Sequence, residues 1–349
     1  MTTIDDLLVA EGPIASVYLR APSSTFEAGY RLETGWKNAR RRLTEAEASD
    51  EMLDRLDELV ASIAHEDAPA FAVFASGTGR DTLVEPLDDA LVADLAALDP
   101  VPRLVPLLHA GQRSVPHVMV VTDRTGADIV AVVDGEAADA DSVDGHDHHI
   151  HRGRFGGWSH RRIQQRAENR WEDNARDVSE RVGEIARRVD ARIVTIAGDV
   201  RARQFAFEHL DHDVRQITTL LDVGEADAIA EATVRLVADV VARDTVTVLD
   251  AHANRVGAGT AVAGPDAVLD ALTAGRVETL LVVDDVDDDR RAFFSRDGSP
   301  VCSTTSSFDD MAEGRLVDVA VRSALLGDAA VRVVPATVLD GDIGALLRW

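Results

Sequence analysis

Gly153-Arg-Phe-Gly-Gly-Trp-Ser-His-Arg-Arg-Ile-Gln-Gln-Arg-Ala-Glu-Asn-Arg170 is a basic stretch in an acidic chain. Arg152, Arg154, Arg161, Arg162, Arg166 and Arg170 face Glu168 alone, a net +5 over nineteen residues of a 349-residue protein that carries −26. A positive stripe on a negative body calls for an anionic partner, and phosphate is the usual one, because Arg neutralises it and releases counterions. Gly156 and Gly157 have no Cβ, which permits positive φ and close approach of main chain to a ligand. Ser159 suits an N-cap, and Ile163, Ala167, Trp171, Ala175, Val178, Val182, Ile185 and Val189 recur at helical spacing. The spacing predicts a helix over 161–189, so the stretch reads as a Gly-hinged basic tip at the start of a long amphipathic helix.

Outward from that helix the chain alternates strands and helices. Before it, 117–122 and 127–133 read as strands joined by the turn Asp123-Arg-Thr-Gly126, followed by a polar segment over 134–154. After it come a strand over 192–197, a helix over 200–210, a strand over 214–217 and a helix over 225–243. The first hundred residues predict strands at 15–19 and 70–74 and helices at 25–43 and 50–65. The Pro-rich passage 99–108, with Gly111 and Pro116, is no single regular element and marks a boundary. The last third predicts a helix from Pro265 to Ala274, a strand over 277–283, an acidic loop from Asp284 to Asp289, a helix over 311–326, a strand over 331–334 and a closing segment 343–349. The expected architecture is three α/β domains in series: 1–113, 114–245 with the Gly-Gly loop, and 246–349.

Asp and Glu number 62 against 36 Lys and Arg, and Lys37 is the only lysine. A carboxylate-rich surface with Arg in place of Lys fits a halophilic cytoplasmic protein, since concentrated salt screens the self-repulsion of −26. The acidic excess is then adaptation, and a +5 stretch kept where salt weakens phosphate contacts points to function. Cys302 stands alone, so neither a disulfide nor a Cys-rich zinc module is expected. No apolar run approaches the twenty residues of a membrane span, and the N-terminus has no secretory h-region.

The stretch Gly156-Gly-Trp-Ser-His-Arg-Arg-Ile-Gln-Gln-Arg-Ala-Glu-Asn-Arg-Trp-Glu-Asp-Asn-Ala-Arg-Asp-Val-Ser-Glu180 resembles the Gly-Gly-Gln loop and following helix of archaeal and eukaryotic class-1 release factors. Ser159, Arg162, Ile163, Val178 and Glu180 take part in the match. The ending Ile343-Gly-Ala-Leu-Leu-Arg-Trp349 is similar to that of release factors and Pelota. The nearest resemblance is to the release-factor-like group whose loop reads Gly-Gly-Trp-Ser, which includes the ribosome hibernation factor Balon. It implies a release-factor/Pelota-like body that enters the ribosomal A site like a tRNA, with the loop towards the peptidyl-transferase centre and a translational GTPase as a possible partner. The family's water-positioning Gln is replaced by Trp158, and His160 follows two residues later. The first domain matches only by its place in the order, and codon-reading motifs such as Asn-Ile-Lys-Ser are absent. Ribosome hibernation or rescue by occupancy is therefore expected rather than codon-specific termination.

On this reading Arg152, Arg154, Arg161, Arg162 and Arg166 grip RNA phosphates, Gly156 and Gly157 let the loop bend, Ser159 caps the helix and joins the RNA-binding loop, His160 beside its arginines contacts a phosphate or base, and Trp158 stacks on a base or else tucks into its own domain. Lys37, Arg40 and Arg41, in the run Trp36-Lys-Asn-Ala-Arg-Arg-Arg42, form either a solvated helix end or a contact to ribosomal RNA. One alternative is a peptidyl-tRNA hydrolase in which His160 or Gln164 orients water. Another is a metal-dependent hydrolase built on His146, His149 and His151. That cluster lacks a His-Glu-x-x-His helix or a Cys pair to complete it, and beside Arg152 and Arg154 the imidazoles equally extend the basic surface. No cofactor is expected, since Gly257-Ala-Gly259 lacks a third glycine and the chain has no Walker lysine. The acidic loop from Asp284 to Asp289 reads as a solvated loop, with Mg²⁺ as the other possibility.

Overall fold

The computed structural model describes residues 3–21, 27–64, 66, 68–87, 93–123, 126–144, 171–296, 299–304, 311–336 and 339–349. Residues 1–112 and 244–349 form one compact unit and 113–243 a second, so the expected first and third domains lie within one unit.

The first third comprises α1 (Ile4–Val9), β1 (Ile14–Arg20), α2 (Glu27–Glu45), α3 (Asp50–Ile63), β2 (Ala70–Ser76), β3 (Thr82–Leu87), β4 (Leu95–Asp99) and α4 (Val105–Arg113). Its strands form an antiparallel sheet in the order β3-β2-β1-β4. The Pro-rich passage holds the end of β4, a turn and the start of α4. Pro106 is tolerated there because it falls in the first helical turn, where its missing N–H has no intrahelical partner.

The middle segment comprises β5 (His117–Thr122), β6 (Gly126–Val133), β7 (Glu136–Asp144), α5 (Trp171–Arg188), β8 (Ile193–Gly198), α6 (Val200–His209), α7 (His212–Gln216), β9 (Thr218–Leu220) and α8 (Ala226–Gly257). The sheet order is β7-β6-β5-β8-β9, with β5, β8 and β9 parallel and the other pairs antiparallel. Residues 214–217, expected as a strand, instead end the short helix α7, and the strand follows at 218–220. The local cause is a turn in which Arg215 N–H donates to the Asp211 carbonyl and Val214 is buried. The helix expected to end at Arg243 continues to Gly257, with neither Gly nor Pro before its last residue to interrupt it.

The last third adds β10 (Ala261–Ala263), α9 (Pro265–Thr273), β11 (Val277–Val283), β12 (Arg291–Phe294), β13 (Val301–Cys302), β14 (Ala312–Arg315), α10 (Leu316–Leu326), β15 (Ala330–Val334) and β16 (Ile343–Leu347). The strands form two sheets, β10-β16-β11-β15 and β13-β12-β14. The helix expected from residue 311 starts only at Leu316. Residues 312–315 pair with β12 instead, and ladder pairing overrides a pattern that reads equally well as helical. The closing segment is a strand between β10 and β11, and a Cβ on Gly344 would lie 2.7 Å from His252 Nε2. That imidazole is held against the Val262 carbonyl at 2.9 Å.

In β1 and β2, Ala15, Val17, Leu19, Phe71, Val73 and Ala75 face one core, shared with Leu43, Leu53 and Leu56 of α2 and α3. Their alternates Tyr18, Ala70, Ala72 and Phe74 face another, shared with Leu269, Leu280, Ala320 and Leu347 of the last third. A sheet buried on both faces accounts for the unbroken apolar runs of these strands.

Candidate functional site

The stretch that carries the sequence expectation, 145–170, lies outside the described residues, with Arg152, Arg154, Gly156, Gly157, Trp158, Ser159, His160, Arg161, Arg162, Gln164 and Arg166. His146, His149 and His151 lie outside them too. The described residues fix the scaffold on either side. Asp144, the last residue of β7, pairs with Gly126 at the start of β6. Asn174, Ala175 and Val178, in the first turns of α5, line a small cavity together with Gly126, Thr122, Asp123, Ala202 and Phe205. Both flanks of the stretch are thereby anchored at one end of the middle sheet, where β5 and β8 finish and α6 begins.

Close approach builds this end. Gly198 closes β8 with φ +109°, and a Cβ there would lie 2.0 Å from the Thr122 carbonyl oxygen. Asp199 N–H donates to that carbonyl at 3.0 Å, and the Thr122 hydroxyl donates to the Gly126 carbonyl at 3.0 Å. The Asp199 carboxylate then caps α6, accepting from Arg201 N–H at 3.0 Å and Ala202 N–H at 3.2 Å. A helix start filled by its own carboxylate is closed to phosphate, although an open one attracts anions. The neighbouring cavity, about 10 Å³, admits about one water and no nucleobase.

Helix α5 turns its apolar stripe inward: Ala175, Val178, Val182 and Ile185 are buried, as the spacing predicts. Ser179 is buried with them, its hydroxyl within 2.6 Å of the Ala175 carbonyl and 2.7 Å of the Ala206 carbonyl on α6. The outer face is dressed in ion pairs: Arg181 with Asp141 and Glu184, Arg187 with Asp211 and Asp213, Arg188 with Asp139. The two partners of Arg187 and those of Arg181 strengthen the hold of each guanidinium on its proton. These arginines are matched by carboxylates, whereas the six arginines of 152–170 have only Glu168 in their own stretch.

The other expected residues are in view. Arg40 pairs with Asp57 at 3.1 Å, and the same carboxylate accepts from Trp36 Nε1 at 2.7 Å. Arg41 stands 3.9 Å from Glu45, and Lys37 is exposed. In the loop Asp284 to Asp289, Arg290 grips Asp288 at 2.7 Å, while Arg315 donates to the Asp285 and Asp288 carbonyls. The hydrogen bond from Arg290 holds the Asp288 carboxyl below its ordinary range. Among the described residues, no group of three or more His, Cys, Asp or Glu is arranged to hold a metal ion. Gly257 and Gly259 form the end of α8 and the turn after it. Among the described residues no helix is long and apolar enough to cross a membrane.

Residues 116–258, from β5 to the end of α8, match the model of bacterial archaeo-eukaryotic release factor family 2. Over that segment the chain is similar to this release-factor family. It is 29% identical over 370 residues to uncharacterized protein Rv2629 of Mycobacterium tuberculosis, covering 98% of this chain and 95% of that protein. Among solved structures it is similar to an archaeal Pelota in a ribosome-bound model with ABCE1, with a TM-score of 0.43 and 15% identity, over 100% of this chain and 94% of that one. It is likewise similar to Archaeoglobus fulgidus Pelota, with a TM-score of 0.39 and 14% identity, over 100% and 93% of the two chains.

Proposed function

We propose that the chain is a ribosome-binding translation factor that enters the A site as a tRNA-shaped body. It acts in hibernation or rescue by occupying the path from the decoding site to the peptidyl-transferase centre. The observation that carries this reading is a release-factor-type segment over 116–258 in which Gly156-Gly157 is followed by Trp158 rather than Gln. Without the Gln the stretch keeps its charge and loses the group that positions water in the family. Arg152, Arg154, Arg161, Arg162 and Arg166 would neutralise phosphates, and Trp158 would stack on an exposed base. The protein would work in the cytoplasm, delivered by a translational GTPase.

The test pairs ribosome co-sedimentation with a peptidyl-tRNA cleavage assay. Replacing Arg161, Arg162 and Arg166 together by Glu is expected to abolish co-sedimentation, because attraction to phosphate becomes repulsion. Trp158→Ala should weaken association by about 1–3 kcal/mol. Wild type should release no peptide. Release by wild type that is lost in His160→Ala with association intact would replace occupancy by a hydrolase in which His160 orients water in the transition state.

A further inference from the structure

Helix α10 carries a carboxyl group in an unusual place. Asp318, in its first turn, is 1% exposed, and among the described residues its Oδ1 finds no hydrogen-bond partner. Its other oxygen stands 3.4 Å from Arg315, itself buried and already donating to the Asp285 and Asp288 carbonyls. From the first third of the chain the facing groups are Tyr18 on β1 and the pair Asp99–Arg103, joined at 2.8 Å. The Tyr18 hydroxyl donates to the Arg103 carbonyl at 2.6 Å and accepts from Leu107 N–H at 3.3 Å. Arg103 N–H donates to Ser16 Oγ at 3.0 Å. Beyond Arg315, His109 of α4 lies 3.8 Å from Asp284. One turn or so along α10, Arg322 donates to the Leu8 carbonyl of α1 at 2.7 Å, and to the Ser295 and Arg296 carbonyls. Asp318 thus sits in the seam where the first sheet meets the last third inside one unit.

We propose that Asp318 is a pH-sensitive latch in this seam: neutral, it lets β1 and the 99–107 segment close on α10, and its ionisation loosens them. A carboxylate with one oxygen facing no donor in an apolar seam is costly, and the cheapest remedy is entry of water, which requires the two faces to part. Arg315 and the start of α10 favour the ionised form, yet Arg315 is shared with two carbonyls and Asp99 repels it. Burial outweighs them and pushes the Asp318 carboxyl up to about 7. Tyr18, raised by burial, stays neutral throughout this range. A carboxyl whose folded value exceeds its ordinary 3.8 stabilises the closed seam fully below 3.8 and progressively less as pH rises through about 7.

The measurement is hydrogen exchange on the full chain at pH 6, 7 and 8, corrected for the intrinsic rate, in saturating salt-matched buffers. Opening of the seam should increase about tenfold between pH 6 and pH 8, from the ordinary and raised values of this one group. Peptides covering 100–113 and 316–326 are expected to lose that protection while 178–186, in α5, does not. In Asp318→Asn, which keeps the shape and an acceptor for Arg315, the seam peptides should become insensitive to pH. Parallel changes in all three regions, or the same pH response in Asp318→Asn, would overturn the latch. If the variant fails to fold, the comparison of regions in wild type decides alone.

Discussion

Gly198 marks a spot where backbone fills the space a side chain needs. With φ at +109° and the Thr122 carbonyl oxygen 2.0 Å from the position of a Cβ, alanine meets both strain and collision. Gly198→Ala is expected to cost about 3 kcal/mol, combining an unfavourable φ with overpacking. It should also disturb the bond from Asp199 to Thr122 that starts α6. Urea unfolding checks this, and a midpoint within error of wild type would contradict it. In sequence Gly198 reads only as the residue after the strand expected over 192–197, because its constraint comes from Thr122, on a different strand. Asp318 was equally illegible: in the helix expected over 311–326 it reads as an ordinary mid-helix acid, and burial follows only from what the first third lays over it. Arg40, by contrast, was readable as basic but not as engaged, since Asp57 belongs to the next helix.

Among elements, β7 shows how pairing can recruit a segment with little strand propensity. Glu136-Ala-Ala-Asp-Ala-Asp-Ser-Val-Asp144 reads as polar and loop-like, yet it pairs along β6 and closes the sheet edge. Two arginines of α5 hold it, Arg181 on the buried Asp141 and Arg188 on Asp139. Arg181→Ala leaves Asp141 without that partner, and the expected cost is on the order of 1–3 kcal/mol, with faster exchange of β7 amides. Exchange confined to β9, or none, would show that β7 does not depend on this ion pair. The amphipathic part of α5 was legible because a stripe of period 3.6 survives any tertiary setting. The strands β12 to β14 were not, since each is too short to show alternation and exists by virtue of its neighbours.

At the scale of the whole chain, charge decides the conditions of stability. A protein at −26 repels itself, and the pairs around α5, α2 and α3 are mostly exposed and individually worth little. The Debye length falls from about 30 Å at 0.01 M to about 3 Å at 1 M salt, so concentrated KCl removes most of the repulsion. The melting temperature followed by circular dichroism should rise from millimolar to molar KCl. An unchanged value would make the acidic surface a binding feature rather than an adaptation to salt. The α/β class and the order of segments were legible from alternation; the joining of residues 1–112 with 244–349 was not, because nothing local announces which sheet face meets which helix.

That joining has a consequence for birth on the ribosome. Tyr18, Ala72 and Phe74 emerge well before the residues that cover them, from Leu269 to Leu347. At roughly 5–20 residues per second, one greasy face of the first sheet waits tens of seconds for its lid. The middle unit, contiguous from 113 to 243, has all its parts well before then. The nascent chain therefore passes through a stage in which the middle unit has been made while this face of the first sheet is still uncovered.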